Sequence, residues 1–527
     1  MTSASPILRT LLTYSICLPV AIFLGYIIAS PYDPTRDITT YFGVGLVLFF
    51  LAIPLLLKWH RVMMIAAWNT CAMLYFLPGR PELWLALIWL SLIISVLQYI
   101  LNRRQPFISV SSTTRPLIFL AIVVLVTAKL TGGMGLGALG SDTLGGKKYI
   151  QLLSAIAGYF ALTSQRIPPQ KASLFVTLFF LGYLTNVIGE LGPLIAPGFY
   201  FIFWLFPISQ QSISTMFSSS GQGDEVARFG GLTFAGSGIF SAMLARYSIR
   251  ELFNSRHLFR LTLFLFAASF ALLGGFRSIL IQFALVFCIL FYLEGLMRSK
   301  LLPAFLLAGA LLIALMLAFT NHLPLSVQRT LTILPIQVDE SARRSADDSS
   351  EWRLQMWKEV VPTIPRYLLL GKGFLMTSAE MNSFSIGRPG EMQQFAAEGS
   401  AAAGDFHNGP LSLLIPFGIW GFGGFIWFLA AAWKALHRNY LYGDPAFHTI
   451  NRFLFGLFVS RVIFFFTVFG SFYSELMFFT GILGLGVSIN GGVSLPYLTA
   501  QQKRAASSPE KPTPARGRPI GPAAFGA

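Results

Sequence analysis

Residues 301–320 read LLPAFLLAGALLIALMLAFT, twenty positions without one ionisable side chain. A helix needs about twenty such residues to cross the hydrocarbon core of a bilayer. The next stretch is opposite in character. From Asn321 to Gly409 the chain is polar, with ten of its 22 acidic residues beside Arg329, Arg343, Arg344, Arg353, Lys358, Arg366, Lys372 and Arg388. A connection of this length is usually functional or disordered. Here Trp352, Met356 and Val360 recur at helical spacing, Asp348 is placed to cap with Glu351 three residues on, and Pro362 ends the run. The pattern predicts an ordered amphipathic helix, so the connection is a working part that the flanking segments hold against a membrane.

Outward from this stretch, apolar runs recur along all 527 residues. The chain is 54% hydrophobic and 11% charged, against about 25% charged in soluble domains. The fold class is therefore all-α: a polytopic transmembrane helical protein. Spans are expected near 8–29, 41–58, 62–77, 82–101, 115–131, 148–163, 171–188, 231–247, 260–275, 277–297, 301–320, 409–433, 450–468 and 474–490, or about 12–14 crossings. The first, following Arg9 with no small-residue cleavage pattern, reads as an uncleaved signal anchor. The stretch 193–209 is apolar but carries Pro193, Pro197 and Pro207, and is expected to be a broken or re-entrant helix on the outer side.

Basic clusters set the orientation. Lys58 to Arg61, Arg103-Arg104, Arg166 to Lys171, Arg250–Arg260, Arg298–Lys300 and Lys434–Arg438 fall in the cytoplasm if positive charge stays inside. Both termini are then inside and the long connection outside. The expected organisation is N-terminal helices over 1–227, helices bearing pocket arginines over 228–320, an outer loop domain over 321–408, C-terminal helices over 409–492, and a disordered basic tail over 493–527.

Several functions are disfavoured. The net charge of +16 sits in short loops and the tail, with no basic face interleaved with aromatics, so nucleic acid is not an expected partner. Cys17, Cys71 and Cys288 lie in apolar segments without metal-ligand spacing. Gly135-Leu-Gly137-Ala-Leu-Gly140 matches G-x-G-x-x-G, but no βαβ unit surrounds it. Gly145-Gly146-Lys147-Lys148 lacks the rest of a P-loop, and Asp347-Asp348 reads as a solvated helix start.

The residues that carry chemistry lie on the outer side. Arg277 comes directly after Gly274-Gly275-Phe276 and opens an apolar run, at a boundary where Arg is disfavoured. The alternative is an Arg that snorkels to the interface. Arg228 precedes Phe229-Gly230-Gly231, and Arg353 lies one helical turn before Trp357. The bland readings are a loop charge for Arg228 and, for Arg353, stacking on Trp357. Three arginines on a face that ought to be poor in them point to an anion, and guanidinium forks suit phosphate or pyrophosphate without a metal. His407, where the connection re-enters the membrane, is either a structural hydrogen-bonder or the base beside that anion.

In order, the chain presents Gly274-Gly275-Phe276-Arg277, a long outer loop with Arg353-Leu-Gln-Met-Trp357, then Leu370-Gly371-Lys372-Gly373-Phe374, His407-Asn408-Gly409 and Gly418–Gly424. This set, over roughly 228–430, resembles the O-antigen ligase and polymerase superfamily of bacterial inner-membrane glycosyltransferases. The resemblance implies transfer of a glycan from undecaprenyl pyrophosphate to a glycan or lipid A core acceptor at the periplasmic face. It implies no cofactor, neither nucleotide sugar nor metal, and polysaccharide-export machinery as a further partner. It assigns Arg277 and Arg353 as the essential arginines, His407 as the loop histidine, and Arg228 as a further arginine of the pyrophosphate pocket. The competing class is a transporter, such as a lipid-linked oligosaccharide flippase. A carrier should place charges near the bilayer midplane and show repeated halves, whereas these spans read as nearly charge-free.

Overall fold

The computed structural model describes residues 57–101 (76 and 78 apart), 107–136, 143–191, 199–208, 226–377 and 404–496, with single positions at 43, 47, 141 and 401. The expected anchor at 8–29, most of the span at 41–58 and the tail beyond 496 lie outside the described residues. Of the 193–209 stretch, the described part holds a single helical turn, Ile202–Leu205, ahead of Pro207.

Twelve helices build the site and its frame: α1 (Leu83–Leu101), α2 (Ser111–Thr131), α3 (Gly146–Thr163), α4 (Pro169–Glu190, opening and interrupted by 3₁₀ turns), α5 (Gly230–Arg246), α6 (Leu258–Leu272), α7 (Arg277–Leu293), α8 (Leu301–Phe319), α9 (Glu340–Val360), α10 (Gly409–Tyr442), α11 (His448–Thr467) and α12 (Phe472–Asn490). Every span expected from residue 82 onward falls on one of them. Among the described residues, seven helices are long and apolar enough to cross a membrane, while α7 is apolar but shorter. The chain is an all-α polytopic membrane protein. Its one sheet among the described residues is a two-residue antiparallel pairing of β1 (Thr143–Leu144) with β2 (Met376–Thr377), which ties the glycine-rich loop after α2 to the polar connection between α8 and α10.

The core lies along α12, which packs on α3 and is the most deeply buried of the spans. Around it α10 packs on α2 and α11, α5 on α4 and α6, and α7 on α11. None of the residues of α8 is buried, as suits a helix surrounded by lipid, where apolar surface needs no protein partner.

Three expectations are corrected. The span near 62–77 is helical only through residue 67. Beyond it the Asn69 amide donates to the Phe179 carbonyl at 2.8 Å and the Trp68 indole N–H to the Met477 carbonyl at 3.3 Å, so these side chains serve the core instead of extending the helix. The segment expected at 409–433 runs to Tyr442 and takes Lys434–Arg438 into the helix. It bends at Gly418, whose φ of 61° disfavours any side chain. The polar helix does not start at Asp348: Asp339 caps it, accepting from the Ser341 N–H at 2.9 Å, and Asp347-Asp348 fall in its middle.

Two ion pairs lie in the helices read as nearly charge-free, Arg461–Glu475 at 3.7 Å and Arg452–Glu294 at 3.2 Å. Glu475 stands in the first turn of α12 and Arg452 in the second turn of α11, Arg461 within about two turns of the α11 end, and Glu294 just past α7. Glu475, Arg452 and Glu294 sit toward helix ends, whereas Arg461 lies nearer the middle of α11, where Glu475 pairs it.

Candidate functional site

The described part of the polar connection packs onto the helices rather than standing free. Its apolar residues share their cores with helix ends: Met356, Val360 and Phe406 pack with Leu411 and Ile415 of α10, while Val327, Leu331 and Ile336 pack against Leu273 and Met316. That docking sets α9 across the entrance to α7.

The turn before α7 is the hub. Gly275 takes φ 78°, and a Cβ on Gly274 would collide with Thr233 Oγ1 and the Phe229 carbonyl. The Gly-Gly pair therefore admits the backbone of the segment that carries Arg228, and the Phe229 N–H donates to the Gly274 carbonyl at 3.1 Å. From the other side comes Arg329, which is buried. Its Nη1 donates to the Gly275 carbonyl and its Nε to Ser345 Oγ at 3.0 Å, joining the turn to α9.

Arg277 is next on that turn, and its Nη2 donates to the Ala346 carbonyl at 2.7 Å and to Ser350 Oγ at 2.8 Å. Positions 346, 350 and 353 lie on one face of a helix, so these bonds set the Arg277 guanidinium beside Arg353. The Nε of Arg353 is buried without a hydrogen-bond partner. Burial pushes the Arg353 guanidinium below its ordinary range, the charges of Arg277 and Arg228 act the same way, and Asp405 opposes them. The three expected arginines thus stand within electrostatic reach of one another. Asp347 is exposed, as a solvated residue should be, and its charge acts on Arg277 as well.

His407 adopts φ 51°, unusual for a residue with a side chain. The Trp352 and Phe469 rings meet its imidazole edge-on, each at 5.1 Å, and the Trp357 indole N–H donates to the Phe406 carbonyl at 2.8 Å. Asn408 then starts α10, its side chain accepting from the Leu411 N–H. The imidazole nitrogen Nδ1 is buried, 3.4 Å from Asp405 Oδ1. Burial lowers the His407 pKa below the ordinary value and Arg353 adds to this, while Asp405 opposes both. Burial and Arg353 together thus favour the neutral imidazole.

The site unites Arg228, Arg277, Arg353 and His407 at one end of the apolar helices. Residues 262–426 match the family model described as O-antigen ligase. The match runs from α6 into α10 and so holds Arg277, Arg353 and His407, with Arg228 outside it. No curated protein matches the chain.

Sequence reasoning missed four residues at the edge of this site: Arg329, Asp405, Lys148 and Tyr473. Arg329 is the structural link. Arg329→Ala leaves buried acceptors on Gly275 and Ser345 unpaired, at about 1–3 kcal/mol each. The purified variant should melt at lower temperature than wild type; an unchanged melting curve would show that the link carries no stability.

Proposed function

We propose that this chain is a membrane glycosyltransferase that transfers or polymerises a glycan from undecaprenyl pyrophosphate at the periplasmic face of a bacterial inner membrane. The observation that carries the reading is the convergence of Arg228, Arg277, Arg353 and His407 where apolar helices end. Glycan transfer breaks the bond between the anomeric carbon and the pyrophosphate oxygen while an acceptor hydroxyl oxygen bonds to that carbon. Charge accumulates on the departing pyrophosphate, and guanidinium donors fixed beforehand stabilise that charge more in the transition state than in the ground state. His407 takes the hydroxyl proton. The lipid tail of the donor lies among the apolar helices, with its reacting end at the arginines.

On this reading residues 1–227 and 409–492 are the membrane frame, 228–320 supplies two of the arginines, 321–408 closes the site from outside, and 493–527 is a cytoplasmic tail. The acceptor is a glycan or the lipid A core, and polysaccharide-export proteins are downstream partners. The arginines neutralise pyrophosphate without a metal, so purified protein in EDTA should move a labelled glycan from a defined undecaprenyl-linked donor to acceptor. Restoration by magnesium only would overturn the metal-free account, and no transfer under either condition would overturn the function. In a deletion strain, full-length lipid-linked precursor marks a ligase, and lipid capped with a single repeat marks a polymerase.

Orientation has its own test. In a chain with its three native cysteines replaced by Ala, Ser341→Cys and Arg344→Cys on α9 should react with an impermeant thiol reagent in intact spheroplasts. Labelling that needs lysis would place the loop in the cytoplasm and remove the site from the periplasm.

A further inference from the structure

Asp405 stands at the meeting point of three elements. Its Oδ1 lies 3.4 Å from His407 Nδ1, and the Tyr473 hydroxyl of α12 lies 3.5 Å from its Oδ2. Lys148, at the start of α3, sits 4.5 Å from the centre of the Tyr473 ring and 5.4 Å from that of Phe374, and its charge acts on Asp405. The carboxylate therefore lies between the histidine on one side and a phenol and ammonium on the other. Lys148 and Tyr473 both lie outside the matched O-antigen ligase stretch.

The histidine is held by its surroundings in one orientation. The Trp352 and Phe469 rings clamp it edge-on, and its left-handed backbone is over-determined by the Phe406 carbonyl bond to Trp357 and by the Asn408 cap. About a quarter of the side chain is exposed, yet Nδ1 is buried. With Nδ1 buried, Nε2 is the ring nitrogen left to meet substrate. For Nε2 to accept a proton, Nδ1 must carry the hydrogen, and a buried Nδ1–H needs an acceptor. Asp405 Oδ1 is the near one. Its separation is longer than a formed bond, as catalytic hydrogen bonds often are before substrate tightens the site.

We propose that Asp405 is the positioning residue of this site: it accepts the Nδ1–H of His407, fixes the tautomer with Nε2 free toward the acceptor hydroxyl, and stabilises the imidazolium formed when Nε2 takes the proton. Tyr473 and Lys148 hold the carboxylate from behind, which makes the N-terminal and C-terminal helices part of the chemistry. The proton passes from the acceptor hydroxyl to Nε2, the acceptor oxygen bonds to the anomeric carbon, and the pyrophosphate leaves with the electron pair of the broken bond. Asp405 stays ionised throughout. This rests on the reading of His407 as base.

Four side chains face His407: Arg353 and Trp352 from α9, Asp405 from the loop and Phe469 between α11 and α12, of which only Arg353 and Asp405 are charged. Removing the Asp405 charge leaves burial and Arg353 acting alone, so the acid limb of the rate–pH profile moves to lower pH. The test is steady-state transfer by the purified full chain carrying Asp405→Asn or Asp405→Ser. Both side chains keep the local turn, in which Asp405 Oδ1 accepts from the His407 N–H at 3.5 Å. Either should lower kcat at least about tenfold, leave the donor KM near wild type, and shift the acid limb down; Asp405→Glu should recover part of kcat. The Ser variant decides the matter if the Asn protein does not fold. Wild-type kcat with an unmoved acid limb in the folded variant overturns the proposal, provided His407→Asn is inactive. A His407→Asn protein with full rate and an unchanged profile instead overturns the reading of His407 as base.

Discussion

Arg277→Ala and Arg353→Ala should each cut transfer by about thirtyfold to several thousandfold, with protein still inserted and accumulated. The figure comes from removing one partner of a partly buried, charge-assisted contact, about 2–5 kcal/mol, converted to a rate. The geometry sharpens what Lys substitution will do. One nitrogen of Arg277, Nη2, is already committed to the Ala346 carbonyl and Ser350 Oγ, so the guanidinium both docks on α9 and presents its remaining N–H groups to an anion. An ammonium has no planar fork with which to do both. Arg277→Lys should therefore remain crippled. If it transfers at the wild-type rate from a defined undecaprenyl-linked donor, Arg277 is a snorkelling membrane anchor and the pocket loses its central member. Arg353 is a separate case, because its Nε is buried and unpaired. A buried donor left unmatched is costly, and pyrophosphate is the partner we assign to this guanidinium. Arg353→Ala should consequently lose transfer while thermal stability stays equal or rises.

Parts of this arrangement are legible in the chain alone, and the reason is the membrane. The positive-inside rule reads the boundary at Arg277 as outer, where a positive charge is disfavoured, so Arg277 stands out against a nearly silent background. Met356 and Val360 mark their face of α9 by spacing, and both are buried. Arg329 reads in sequence as only one basic residue among eight, since its acceptors lie 16 and 54 positions away and belong to a side-chain hydroxyl and a backbone carbonyl. Asp405 reads merely as the start of Asp-Phe-His-Asn-Gly. Its partner Tyr473 is 68 positions distant, and no local pattern reports such a pairing.

The displaced helix start has a similar origin. Asp348 and Glu351 have the spacing of a capping box, yet the run from Glu340 to Ala346 is itself a good helix former, and Asp339 caps it earlier. Local chemistry allows two starts; continuity of the buried face Ala342, Ser345 and Ala346 selects the first. In the same way, apolar composition continues past residue 67, but the Asn69 amide finds a carbonyl on α4, which hydropathy does not register.

His407→Asn should lower kcat by about 10²–10⁴-fold, the usual contribution of a positioned general base. Asn is the informative replacement. At φ 51° an alanine is strained by the left-handed backbone, whereas Asn tolerates that region, so the variant removes the base without loosening the turn. The pH dependence then carries the sign. A base acts only when unprotonated, so transfer by the wild-type protein is full above the His407 pKa and falls as pH drops through it. Burial and Arg353 hold that pKa below the ordinary imidazole value of about 6.5 even though Asp405 opposes them. With a non-ionisable acceptor, the midpoint of the acid limb of wild-type kcat should therefore fall below that ordinary value, and a midpoint above it would contradict the assignment. If instead the Asn variant regains the wild-type rate at saturating acceptor, with the same profile, His407 orients the sugar and takes no proton, and the base must be sought elsewhere.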